Sequence, residues 1–129
     1  MSKPFSLDRT FLNLRPDGSV TPIKVGPRFW ATIHRRTDLD DGRLVTMSRQ
    51  AEDWSHWERH PAGDEVLILL SGELQIVLES AGRTRRVAMR AGQSLVVPKG
   101  VWHRAVVKKT GNMVFITPGA GTEHRPVSL

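Results

Sequence analysis

Short apolar runs cut apart by turn residues constrain this chain more than any other feature. Pro61-Ala62-Gly63-Asp64, Ser71-Gly72, Ser80-Ala81-Gly82, Arg90-Ala91-Gly92, Pro98-Lys99-Gly100 and Thr110-Gly111-Asn112 punctuate its second half. The pieces between them are strand-sized, and none carries a convincing amphipathic helical stripe. Strands are therefore expected at 28–34, 44–48, 54–60, 65–70, 73–79, 84–89, 94–97, 103–107 and 113–117. About nine short strands at this spacing make an all-β sandwich or barrel.

The first 27 residues read as irregular, with turn signals at Arg15-Pro16-Asp17-Gly18 and Val25-Gly26-Pro27. Phe5, Leu7, Phe11, Leu12 and Leu14 make this arm too apolar for a free tail. It is expected to pack on the barrel or on a partner subunit. Asp38-Leu39-Asp40-Asp41-Gly42 starts like a calcium loop, but the closing Glu is missing, and a plain turn is expected. Residues 28–118 would then form the barrel, and the Gly/Pro-containing residues 119–129 a flexible tail. With 129 residues the chain suits a single domain with its own core.

Composition removes several function classes. There is no cysteine, which excludes disulfides, thiolate metal sites and thiol catalysis. The net charge of +6 comes largely from scattered arginines, and no basic helix or aromatic-interleaved basic motif accompanies it. A solvated strand face explains Arg83, Arg85, Arg86 and Arg90 better than a nucleic-acid site does. The densest apolar run, 66–70, is far too short to cross a membrane. The N-terminus lacks the apolar centre of a signal peptide, so a cytoplasmic location is expected.

Chemistry concentrates in 54–65. On a strand alternate side chains share a face, which puts Trp54, His56, Glu58 and His60 together. The turn at 61–64 returns Glu65 to that face, across a hairpin, and His103 joins if its strand lies alongside. Such a polar cluster beside a buried strand is costly unless something pairs with it. Two imidazoles with one or two carboxylates suit a divalent first-row ion (Fe, Mn, Ni, Co, Cu or Zn). A metal-free cluster of hydrogen-bonded histidines is the plainer alternative. Glu58 is a metal ligand, a partner orienting a histidine, or a base. His56 is a pocket or rim residue and a candidate proton relay; Trp54 is a candidate pocket wall. His34 and His124 have no partner at motif spacing and are expected on the surface.

Glu65, six residues and then Gly72, with His60 five residues before the glutamate, resembles the first signature motif of the cupin superfamily. Gly92, five residues, Pro98-Lys99-Gly100, two residues and His103 resembles the second. The resemblance implies a cupin-type jelly-roll β-barrel, also called a double-stranded β-helix. It implies a homodimer as well, and a divalent metal held by Glu58, His60, Glu65 and His103. Three positions depart from the family pattern. Glu58 stands where the first histidine of a His-x-His pair is usual, Glu52 replaces an opening glycine, and Val107 replaces a closing asparagine. The pattern W-E-x-H-P-x-G-D-E resembles a subgroup of small single-domain cupins. The implied function is a metal-dependent enzyme, dioxygenase- or isomerase-like, acting on a small organic molecule. The alternatives are a non-catalytic small-molecule or metal-binding module, or a metal-free structural or regulatory barrel.

Overall fold

Alternating burial runs through strand after strand, as in Glu65–Leu69, where Glu65, Leu67 and Leu69 are buried while Val66 and Ile68 are only partly covered. A chain patterned this way hides one face of each strand and closes on itself in two layers. The computed structural model describes residues 3–128, and its strands form two antiparallel sheets. They are β1 (Thr10–Leu14), β2 (Val20–Lys24), β3 (Arg43–Gln50), β4 (His56–Arg59), β5 (Glu65–Leu69), β6 (Glu73–Ser80), β7 (Arg83–Arg90), β8 (Ser94–Val97), β9 (Trp102–Lys109), β10 (Gly111–Pro118) and β11 (Glu123–Pro126). One sheet has the order β2-β1-β3-β10-β5-β8, the other β11-β4-β9-β6-β7. This is the two-sheet all-β architecture expected from the turn spacing, in the jelly-roll form that the cupin resemblance implies. No helix among the described residues is long and apolar enough to cross a membrane.

The main core lies between the sheets, with Leu67, Leu69, Ile76, Ala105 and Met113 almost wholly shielded from solvent. A second cluster of Phe11, Ile23, Phe29, Leu39 and Leu44 closes the other end. Turn chemistry fixes the registers. Ala81 and Gly82 both take positive φ between paired Ser80 and Arg83, as a two-residue primed turn requires. Gly72 also has positive φ, and a side chain there would run into the backbone of Lys109, Thr110 and Gly111.

Three segments depart from the sequence-based expectation. Residues 28–34 are not a strand: Phe29–Thr32 form a short helix, α1, followed by 3-10 turns at Ile33–Arg35 and Thr37–Leu39. The apolar anchors there are Phe29 and Ile33, four apart, which is helical spacing, and both pack on the second cluster. Phe29 meets Phe11 edge to face at 5.2 Å between ring centroids. The first 27 residues are not irregular either. β1 and β2 pair through the Arg15-Pro16-Asp17-Gly18 turn, and β1 joins β3 of the same chain. Residues 119–129 are not a flexible tail throughout, because β11 pairs with β4 over four positions.

The outer face of the six-stranded sheet is apolar from edge to edge. Pro22, Leu12, Val45, Ile116, Val66 and Val96 sit side by side in register across all six strands. Met47, Val114 and Ile68 form a second row beside them. At about 4.8 Å per strand the longer row spans roughly 24 Å.

Candidate metal centre

Each side chain of the 54–65 cluster is positioned by its place in the two sheets. Glu58 pairs directly with His103 across β4 and β9. His60 follows β4. The 61–64 turn then carries the chain across to the other sheet, where Glu65 opens β5. The expected β4–β5 hairpin is thus a sheet-to-sheet crossing, because β4 pairs with β9 and β11 while β5 pairs with β8 and β10. The two motif loops are tied together: the Gly100 amide donates to the His60 carbonyl (3.1 Å), and the Lys99 amide donates to Asp64 Oδ1 (2.8 Å).

The result brings together the groups named from sequence. His60 Nε2 lies 3.2 Å from Glu65 Oε2, His103 Nε2 2.9 Å from Glu65 Oε1, and His60 Nε2 3.8 Å from Glu58 Oε2. One ligand atom each from Glu58, His60 and His103 falls within 4.8 Å of the others. His60, Glu65 and His103 are buried, whereas Glu58 is half-buried.

Ring orientation follows from the far nitrogens. His103 Nδ1 is 3.1 Å from the Val101 carbonyl, which can only accept, so Nδ1 carries the proton and Nε2 faces the site. His60 Nδ1 is 2.9 Å from Thr122 Oγ1, a hydroxyl that can donate or accept, and this contact occupies Nδ1 and leaves Nε2 to the site. Thr117 Oγ1 donates to Glu65 Oε2 at 2.7 Å. His60 Nε2, His103 Nε2 and Glu65 Oε1 nevertheless make no hydrogen bond. His103 Nε2 and Glu65 Oε1 are only 2.9 Å apart, yet they do not meet in hydrogen-bond geometry.

Charge in this cluster is tightly coupled. Burial would push the Glu65 carboxyl up, but the facing His103 and His60 outweigh it and bring it down to about 2. Burial also opposes charge on His103, yet its pKa is raised, since Glu65 beside it favours the imidazolium.

A cavity of about 880 Å³ opens onto Glu58, His60 and Glu65. Trp54, Phe115, Leu44 and Trp30 supply apolar wall, and Thr46 and Ser48 supply hydroxyls. Trp54 stacks on Phe115 at 6.0 Å, and its Nε1–H donates to Gln50 Oε1 at 2.7 Å. His56 lines the cavity but is exposed, with Nδ1 2.9 Å from Ser55 Oγ. His34 and His124, expected on the surface, are exposed there and also line the cavity. His124 Nε2 is 3.3 Å from Glu58 Oε1. Four of the five histidines thus line the cavity, and His103 is buried beside Glu65. The His124 contact depends on β11, a strand of only four residues with no sequence signal of its own.

The two facing antiparallel sheets form a cupin-type jelly roll, and residues 43–119 match the family model described as "Cupin domain". The chain belongs to the cupin family. It is 34% identical over 94 residues to the endoribonuclease YbeY of Myxococcus xanthus, covering 73% of this chain and 30% of that protein. It is 40% identical over 48 residues to the uncharacterized protein YdbB of Bacillus subtilis, covering 37% and 40% respectively. The chain therefore matches less than half the length of either curated relative. Among solved structures it resembles a cupin-2 domain containing protein from Shewanella frigidimarina, with TM-score 0.51, 28% identity, and coverage of 59% of this chain and 70% of that one.

Proposed function

We propose that Glu58, His60, Glu65 and His103 bind a divalent first-row metal ion, and that the protein is a metal-dependent enzyme acting on a small organic molecule in the adjoining cavity. The observation that carries this reading is the set of buried, unbonded atoms His60 Nε2, His103 Nε2 and Glu65 Oε1. Left without a partner, each costs about 1–3 kcal/mol or more of desolvation. With metal–ligand bonds near 2.1 Å, neighbouring ligand atoms at right angles stand about 3 Å apart. The 2.9 Å between His103 Nε2 and Glu65 Oε1 agrees with that. Glu58 Oε2, at 3.8 Å from His60 Nε2, is the looser fourth member.

Two carboxylates offset the ion's double charge, and two imidazoles with oxygen donors suit Fe, Mn, Ni, Co, Cu or Zn. A bound ion would supply Lewis-acid polarisation of a substrate oxygen. This chain's own residues supply the rest. Trp54 and Phe115 give a flat apolar wall, Thr46 and Ser48 offer hydroxyls, and His56 or Glu58 moves a proton at the cavity side. A dioxygenase- or isomerase-like conversion fits such a pocket.

The apolar outer face of the six-stranded sheet supports a homodimer. A monomer seldom leaves so continuous an apolar face in water, and a second copy offers a self-complementary cover.

Elemental analysis of protein purified without a metal-affinity tag tests the site, alongside His60→Ala and His103→Ala. Near-stoichiometric metal in the wild type and its loss in both variants is expected. Protein that takes up none of the six metals when offered would leave a hydrogen-bonded cluster in a binding or structural barrel.

A further inference from the structure

Strand β4 carries Glu58 and leads directly into His60, yet it is weakly held on one side. Its register with β9 is the single pair Glu58↔His103, whereas with β11 it pairs at four positions. Alternation along that segment sends Thr122 and His124 towards the cavity, and Glu123 and Arg125 to the outer surface.

On the outer surface the strand is clamped. The Arg125 guanidinium lies 4.6 Å from the Trp102 ring centroid and 5.1 Å from that of Trp57, and it pairs with Glu79. Glu123 pairs with Arg59 at 2.9 Å. On the inner side the contacts fall on the far atoms of two proposed ligands. Thr122 Oγ1 meets His60 Nδ1, leaving Nε2 to the site; His124 Nε2 meets Glu58 Oε1, leaving Oε2 to the site.

We infer that the 122–126 segment, β11 with the residue before it, is a positioning element for the metal centre, with Thr122 orienting His60 and His124 orienting Glu58. The inference rests on the metal-binding reading above. A ligand held through its second polar atom keeps its tautomer and its direction, and loss of such a partner typically weakens metal affinity about 10–100-fold. The family match ends at residue 119, so this support comes from outside it. It also gives Glu58 a defined place: one oxygen held by the C-terminal strand, the other turned to the site.

Calorimetric titration of the full-length, metal-stripped protein with Co(II), together with the visible spectrum of the Co(II)-loaded protein, tests this. Thr122→Val removes the hydroxyl and keeps the shape, and should weaken Co(II) binding about 10–100-fold and shift the spectrum. Thr122→Ser should restore both. His124→Ala, at an exposed position, should weaken binding by about 10-fold and change the spectrum too. Wild-type affinity and an unaltered spectrum in Thr122→Val and His124→Ala would overturn the positioning role while leaving the metal site standing. A wild type that takes up no Co(II) would overturn the metal reading and this inference together. If Thr122→Val fails to fold, Thr122→Ala, read by the same titration and spectrum, and His124→Ala decide the matter.

Discussion

His103 Nε2 lies 2.9 Å from Glu65 Oε1, and neither atom is hydrogen-bonded. Two strands from opposite sheets, β9 and β5, bring these groups face to face with almost no exposure to solvent. Each group favours the charged form of the other against the cost of burial. The carboxylate is held at about 2, and the imidazole is raised in turn. A divalent ion can take the place of that attraction, because it would draw on the same two atoms.

Glu65→Gln separates charge from shape. The amide keeps the volume but loses the anion that balances both histidines and, in the proposed site, one metal ligand. Bound metal should fall below detection in elemental analysis. The metal-free variant should also be less stable in urea, since removing one partner of a buried charged pair costs about 3–5 kcal/mol. Full metal content in Glu65→Gln would take Glu65 out of the ligand set.

The two shifts give the metal-free protein a stability curve with two sides. Glu65 has a folded pKa of about 2 against an ordinary 4.5. Its contribution is present above 4.5 and is lost as pH falls towards 2. His103 is raised above its ordinary 6.5, so its contribution is full below 6.5 and is lost as pH rises through the folded value. Melting temperature of chelator-treated protein should therefore peak between these windows. Glu65→Gln should flatten both flanks; an unchanged pH profile in that variant would show that the pair does not set it.

Much of this architecture was legible because turn chemistry and two-residue alternation act locally. Glycines at 72, 82 and 92 take the positive φ that their turns require, and the strands from β5 to β10 fall between those turns. The proximity of His60, Glu65 and His103 was implied by the resemblance to the two cupin motifs. What escaped was set by tertiary contact. The run Arg28-Phe29-Trp30-Ala31-Thr32-Ile33-His34 has strand-like composition, but Phe29 and Ile33 seat a helical turn on the end cluster. β11 has four residues, and its pairing is stabilised by Arg125 stacking on tryptophans from β4 and β9, which no local pattern reports. His34 and His124 reach the cavity only through those two segments.

Gly72 illustrates a motif residue with a structural role. Its φ is +82°, and an added Cβ would meet the backbone around Gly111 in the neighbouring turn. Gly72→Ala should lower stability by more than about 1–2 kcal/mol in urea unfolding, from the left-handed conformation alone. The folded fraction should still bind metal with wild-type stoichiometry. Loss of metal from protein that remains folded would show that the loop reaches the site.

The outer sheet face offers the clearest test of assembly. Ile68 and Val114 pair in the second apolar row, beside the row that runs from Pro22 to Val96. Both are only partly covered in the single chain, so a charge there costs the isolated fold little, whereas at the centre of two facing copies it would be buried without a partner. Two-fold symmetry doubles the effect, because each copy brings the same charge to the same interface. Ile68→Glu should therefore run as a monomer in size-exclusion chromatography with light scattering, with the wild type as a dimer. Its circular dichroism and metal content should remain those of the wild type. A wild type that is monomeric at high micromolar concentration would leave this face to another partner, and a variant that stays dimeric would move the interface elsewhere on the barrel.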